Sequence, residues 1–375
     1  MSRLVGAKET EIAILNGLTV NLHLLMSTFY EPKDKKRKIV LEDHAFPSDT
    51  YAVKSQLIAK GSHPEDDLLL LRPRPGEYLI QEEDILQLFQ EHKDEIALVL
   101  LPCIQFYTGQ LFDVKKLTKV AQSFGICVGV DLAHAVGNVP VNLNEWNVDF
   151  AAWCTYKYLN SGAGCLGAIY IPEHHSQAGS KRNNFPAFKG WWGNSNKTKF
   201  LMSSDFDAAS GADAFKLCNP PPLLSACLMS SLDIYEQTSV QELRKKQFLL
   251  TGYLELLIDS FFNNNNIDFF LPKVQIITPR DPTKRGAQLS LIFSVSLVII
   301  QQELQKRGIV VSFYHFSLCL FFSYLLQFFP DIPNYDFIYF LLRSLSLSLF
   351  MKNPVRHPNA ECNASSPCTP VQLFQ

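Results

Sequence analysis

No block of basic residues interrupts this chain: its 34 Lys and Arg nearly balance 36 Asp and Glu, for a net charge of −2. Without a basic stripe there is no electrostatic footprint for nucleic acid, and none is expected as a partner. The opening residues, Met-Ser-Arg-Leu-Val-Gly-Ala-Lys, lack the apolar core of a signal peptide. A cytoplasmic location is therefore expected, and the sequons at Asn196 and Asn363 carry no weight. Cysteine forms no framework either: the nine are odd in number, and Cys127, Cys154 and Cys227 sit in apolar runs, as reduced thiols do. Cys362 and Cys368 have no matching Cys or His pair, so no zinc site, and no metal of any kind, is expected.

What remains is a body of enzyme size. At 375 residues and 47% hydrophobic positions, the chain can bury one large core or two ordinary ones. Strand and helix patterns alternate along it: strands at Ile12 to Asn16, Lys38 to Glu42, Ile96 to Leu101, Cys127 to Val130, Val148 to Trp153 and Cys165 to Ile171, with helices at Thr19 to Phe29, Gln81 to Lys93 and Leu111 to Phe124. Apolar strands alternating with helices indicate an α/β fold with a mainly parallel sheet, whose ligands bind at the carboxyl ends of strands.

Two residues at such ends point to specific chemistry. Lys157, between Tyr156 and Tyr158, stands just past a buried strand, where a lysine is placed to form an imine. Asp131 closes another apolar strand, and a carboxylate there is costly to bury unless it meets a cation. The protonated ring nitrogen of pyridoxal phosphate (PLP) is such a cation; a helix N-cap is the other use of that position. Nearby segments are open to two readings in the same way. Thr19, after Gly17-Leu18, offers a hydroxyl to a phosphate or a plain helix cap. Phe46-Pro47-Ser48-Asp49 offers a ring-stacking face with polar contacts, or an ordinary turn. Tyr107 brings a phenol that can reach phosphate or serve as an acid, or a structural tyrosine.

Taken with Asp131-Leu132-Ala133-His134-Ala135-Val136-Gly137-Asn138, Gly190-Trp191-Trp192-Gly193 and Asn219-Pro220-Pro221, these motifs resemble kynureninase in order and spacing, over roughly Val5 to Val311. The resemblance implies a PLP-dependent transferase fold of type I, with a mainly parallel seven-stranded sheet in a large domain over 1–222. A partial small α+β domain over 223–311 and a divergent apolar tail over 312–375 complete the expected division. It implies that Lys157 is the Schiff-base lysine, Asp131 the partner of the ring nitrogen and Tyr107 a further catalytic group. Leu18, Thr19 and Tyr156 would serve the phosphate, Phe46 would stack on the ring within a loop running through Pro47 and Ser48 to Asp49, and His134 would neighbour the cofactor. Trp191 and Asn219 would come from the partner subunit of a homodimer. The implied reaction is hydrolysis of the Cβ–Cγ bond of L-kynurenine or 3-hydroxykynurenine to anthranilate or 3-hydroxyanthranilate plus L-alanine, in tryptophan catabolism and NAD biosynthesis. No mobile catalytic cysteine loop is evident, which sets the chain apart from the cysteine desulfurases that share the fold.

Departures from that pattern leave an alternative, an inactive product that binds only PLP or a partner subunit. The family's longer N-terminal region is missing, Pro102 stands where some relatives carry serine, and Trp192 and Asn194 replace other substrate-facing residues. Past Val311 neither the carboxylate-binding arginine nor the closing strand and helix of the small domain is found, and the tail reads as sequence from outside the normal frame or exon. Its uncharged window from Gly308 to Pro330 has the length of a membrane span but lacks basic anchors, so no span is expected.

Overall fold

Ile96–Pro102 is buried at every position, as a strand covered on both faces must be. In the computed structural model of the chain it is β4 of a seven-stranded sheet built from β1 (Ile12–Leu15), β2 (Lys38–Glu42), β3 (Leu68–Leu71), β4, β5 (Cys127–Asp131), β6 (Phe150–Cys154) and β7 (Gly167–Tyr170), in spatial order β1-β7-β6-β5-β4-β2-β3. The structure describes residues 1–176, 186–262, 273–309, 311–314 and 317–321. Strands β2 to β6 pair in parallel, as the alternation of patterns implies, whereas β7 runs antiparallel to both β6 and β1. The reversal has a local cause: the link from Thr155 to Leu166 holds the Lys157 turn and no crossover helix, and a parallel neighbour would need one.

Helices cover both faces. They are α1 (Leu18–Phe29), α2 (Pro47–Ala59), α3 (Glu82–Glu91) and α4 (Val114–Ser123). On one face Ile85 and Phe89 of α3 and Leu117 of α4 pack with Val99, Val130 and Trp153; on the other, Leu22, Leu25 and Phe29 of α1 pack with Leu41, Leu100 and Phe150. Asp113 starts α4 by accepting the Lys116 N–H at 3.0 Å, an ordinary N-cap. Close packing also fixes one residue identity: a Cβ on Gly129 would lie 2.1 Å from the Phe150 ring, so only glycine lets β5 and β6 register there.

A second unit follows. Helices α5 (Pro222–Tyr235) and α6 (Val240–Phe262) lead to β8 (Val274–Ile276) and β9 (Gln288–Phe293), then α7 (Leu297–Gln305). Leu254, Ile258, Leu289, Leu291, Ile300 and Leu304 form its own apolar cluster. Beyond residue 311, β10 (Ser312–Tyr314) and β11 (Ser317–Phe321) pair antiparallel onto β9, giving a four-stranded sheet of order β10-β11-β9-β8. Backbone pairing thus continues past the point where the divergent tail was drawn. The rest of that tail, with Asn363, Cys362 and Cys368 and most of the uncharged window, lies outside the described residues. Among those described, no helix is long and apolar enough to cross a membrane.

The two units are stitched by buried amides. Asn138 Oδ1 accepts from Ala287 N at 2.9 Å and from Gln247 Nε2 at 2.5 Å, and its Nδ2 donates to His134 O at 2.8 Å.

Candidate active site

Strand β5 ends on Asp131, whose Oδ1 accepts the Ala133 N–H at 2.8 Å, so the carboxylate caps the turn that carries His134. Both uses read from its position therefore hold together. Lys157 sits on the turn after β6, which is closed by Asn160 N donating to Lys157 O at 3.0 Å, with Asn160 in the left-handed region at φ 56°. Thr155 anchors the same turn, its hydroxyl within 2.6 Å of Ser161 Oγ and donating to Leu166 O at 2.5 Å. From that base Lys157 Nζ reaches 3.0 Å from His134 Nε2 and 5.4 Å from the Phe46 ring centroid.

Phe46 and Asp49 arrive on a helix rather than a loop. Pro47 occupies the first position of α2, where its missing N–H costs nothing and its fixed φ suits a helix, so Phe46 becomes the N-cap and Ser48 and Asp49 fall in the first turn. That corrects the reading of Pro47 to Asp49 as loop. Thr19 Oγ1 and Ser48 Oγ lie 2.6 Å apart, which brings the N-termini of α1 and α2 together. Neither helix has a side-chain cap, so two sets of first-turn N–H groups and two hydroxyls converge where an anion fits. Leu18, half-buried, packs beside them against the core on that face.

Electrostatics single out the same spot. Glu42, Asp49 and Asp131 are all buried, at 3%, 6% and 8% exposure. Burial raises Asp131 above the ordinary carboxylate range, against the pull of the Lys157 charge, the Ala133 N–H and Asp49. Asp49 is pushed well up, first by burial and then by the charge and hydrogen bond of Asp131, so it holds a proton and donates it to Asp131. Burial also takes Glu42 to about 8, with Asp131 adding to the rise. His134 is held well below its usual value by burial and by Lys157, so its ring is neutral and one nitrogen can accept from the lysine. Three buried acids thus face a single amine. A cationic ring nitrogen beside Asp131 restores the balance, and in this respect the residues fit PLP.

The remaining expected residues divide. Tyr156 is half-buried, and burial followed by its hydrogen bond with Cys154 raises its phenol, so it keeps its proton and can donate. Tyr107 is held by its backbone: its N–H donates to Gln105 Oε1 at 2.7 Å, while its carbonyl accepts from Ser290 Oγ at 2.6 Å and Gln288 Nε2 at 3.3 Å. Its neighbour Phe106 meets the Phe46 ring edge-on at 5.3 Å. Trp191, 48% exposed, packs on Trp192 and Phe200 instead of on Phe46, and Asn219 is exposed. These two are not brought to Lys157 within the chain.

Sequence reading missed Glu42, Gln105, Gln288 and Ser290. For Glu42 a signal was present, since Lys38–Glu42 ends on an acid just as β5 ends on Asp131. The polar residues of β9 gave none, because Ser and Gln in a strand carry no local mark of the loop they grip.

Residues 1–201 match the family model described as aminotransferase class-V. Among curated proteins the chain is similar to a kynureninase of Nematostella vectensis, 46% identical over 320 residues that cover 84% of this chain and 68% of that protein. It is equally similar to the kynureninases of Rattus norvegicus and Homo sapiens, each 46% identical over 310 residues, covering 83% of this chain and 66% of theirs. The chain thus spans about two thirds of the length of these relatives. Its fold is similar to a cysteine desulfurase of Thermococcus onnurineus, with TM-score 0.72 at 16% identity over 92% of this chain and 82% of that one. It is also similar to a C-DES variant with glycine linked covalently to its PLP cofactor, with TM-score 0.74 at 16% identity over 92% and 83%.

Proposed function

The chain belongs to the kynureninase family of PLP-dependent hydrolases, and from that premise we propose that it cleaves the Cβ–Cγ bond of L-kynurenine or its 3-hydroxy form, releasing anthranilate or 3-hydroxyanthranilate and L-alanine. The observation that carries this reading is the Lys157 amine, set 3.0 Å from a neutral His134 above the Phe46 ring, with the proton-sharing Asp131 and Asp49 buried beside it.

Asp131 would hold the ring nitrogen of PLP, Phe46 one face of the ring, Lys157 the aldehyde carbon, and Thr19, Ser48 and Tyr156 the phosphate, with Leu18, Pro47, Asp49 and His134 lining these contacts. When bound, the cofactor supplies an electron sink for the bonds broken at the substrate's amino-acid end. Asp49, by keeping its proton, leaves the local negative charge on Asp131, where a cation needs it. His134, neutral beside Lys157 Nζ, can take a proton from the amine and leave it basic enough to accept one from the substrate's α-carbon. Tyr107, fixed through its backbone by Gln105, Gln288 and Ser290, would offer its phenolic proton to the oxygen of the γ-carbonyl as water adds there.

We place PLP binding in residues 1–222 and read 223–311 as a small domain, a division supported by its separate apolar cluster. A homodimer is part of the proposal, with the exposed Trp191 and Asn219 serving the partner's site, and so is a cytoplasmic location.

The test is anthranilate fluorescence from kynurenine with PLP-loaded protein and with Lys157→Ala. Release by the native chain and none by the variant supports the reading. A native chain that binds PLP yet releases no anthranilate would reduce it to a cofactor-binding product of this fold.

A further inference from the structure

At the other end of β6 from Lys157, three ligand-bearing side chains meet. Asp149 stands immediately before β6, while His174 and His175 lie on the helical turn Glu173–Ser176 that follows β7. The antiparallel pairing of these two strands brings the start of one beside the end of the other, and the ligand atoms of the three residues all fall within 4.8 Å of one another.

Each member is prepared for more than an ion pair. Asp149 is 9% exposed, and its Oδ2 accepts from Val128 N at 2.8 Å and from Gln122 Nε2 at 3.2 Å, which fixes the carboxylate plane and leaves Oδ1 to face the histidines. His175 Nε2 lies 2.8 Å from that Oδ1, and the ring is steadied edge-on against Phe29 at 5.2 Å. His174 is exposed, with its ring centroid 4.2 Å from that of His175, so the third donor sits on the solvent side where an ion enters. A carboxylate oriented by outer hydrogen bonds, a packed imidazole and an accessible second imidazole make the pattern of a three-ligand site with a coordination position left for water.

We propose that Asp149, His174 and His175 bind one divalent transition-metal ion, zinc by preference, at a structural site distinct from the Lys157 centre. Two imidazoles favour zinc over magnesium or calcium, which prefer sites made of oxygen. The ion takes the place of the proton between His175 Nε2 and Asp149 Oδ1, and that proton leaves to solvent or moves to Nδ1. Its effect is to tie the chain leaving β7 to the start of β6 and, through Asp149, to Val128 on β5. The pairing of His174 and His175 with a carboxylate 25 or more residues earlier has no fixed spacing, which is why the sequence alone pointed to no metal.

The test uses untagged, PLP-loaded full chain, stripped of metals by chelator and freed of excess cofactor. Equilibrium dialysis against zinc alone, with elemental analysis, should find one ion per chain. His174→Ala, an exposed change that leaves the Asp149–His175 bond in place, should weaken binding at least about tenfold. His63→Ala, at an exposed histidine elsewhere, should not. Zinc should raise the thermal midpoint of the native chain and not that of His174→Ala. Absence of binding, equal affinity in His174→Ala, or equal loss in the His63 control would overturn the proposal.

Discussion

Replacing Asp131 by Asn removes one charge from the site while keeping its shape. The amide oxygen can still accept the Ala133 N–H that Oδ1 accepts now at 2.8 Å, so the turn carrying His134 should survive. What disappears is the anion beside which a cationic ring nitrogen would sit. An opposite charge in close contact shifts a partner's pKa by about 1–3 units, and each unit is worth about 1.4 kcal/mol, so the variant forfeits about 1.4–4 kcal/mol of stabilisation for the protonated ring. If the reaction depends on that protonation, kcat/KM for anthranilate release should fall by roughly tenfold to a thousandfold. Asp49 should respond too: without its ionised neighbour it loses the second-ranked cause of its raised pKa and holds its proton less firmly. The assay pairs kcat/KM with the thermal midpoint of the cofactor-free chain, which should stay close to native. A variant that is folded, binds PLP and keeps native kcat/KM would refute the placement of Asp131 against the ring nitrogen.

Other perturbations probe other links. Gly129→Ala places a Cβ 2.1 Å from the fully buried Phe150 ring, so urea denaturation should show a loss of about 1–3 kcal/mol or more, the usual cost of overpacking. Glu42, raised by burial to about 8 from an ordinary 4.5, binds its proton more tightly when folded; its contribution is present below 4.5 and is lost as pH rises through 8. Between those values the cofactor-free chain should lose up to about 1.4 kcal/mol per pH unit, a slope that Glu42→Gln should flatten in pH-dependent urea melts. Ser290→Ala removes a hydroxyl that donates to Tyr107 O at 2.6 Å; it should cost about 1 kcal/mol of stability and lower kcat more than cofactor affinity, with Ser290→Thr restoring both.

The large sheet was legible because its strands are short apolar runs and its helices are amphipathic, so that β2 matched its expected bounds and α1 began one residue early. Helix α2 was hidden by its own start: Phe46-Pro47-Ser48-Asp49 has the composition of a turn, and only the covered face of Ala52, Val53 and Leu57 shows that a helix continues. β3 was missed because Leu68–Leu71 is a four-residue run that no period can classify. In the site, Lys157 and Asp131 were readable since each breaks an apolar strand end with a charge. Their meeting with His134 and Phe46 follows from neighbouring strand ends in a parallel sheet. The convergence of Asp49 and Glu42 on Asp131 was not readable, because it depends on which strand lies beside which. Nor was the grip of β9 on the Tyr107 loop, made by Gln288 and Ser290 from nearly two hundred residues away.

The central claim is that Lys157 is the amine that engages PLP. Borohydride reduction of the PLP-loaded chain, followed by peptide mass mapping, tests it most directly. The account predicts one phosphopyridoxyl addition, on the peptide Thr155-Tyr156-Lys157-Tyr158, absent when His134-side chemistry is kept but Lys157 is changed to Ala. Addition on another lysine, or none in excess cofactor, would contradict it.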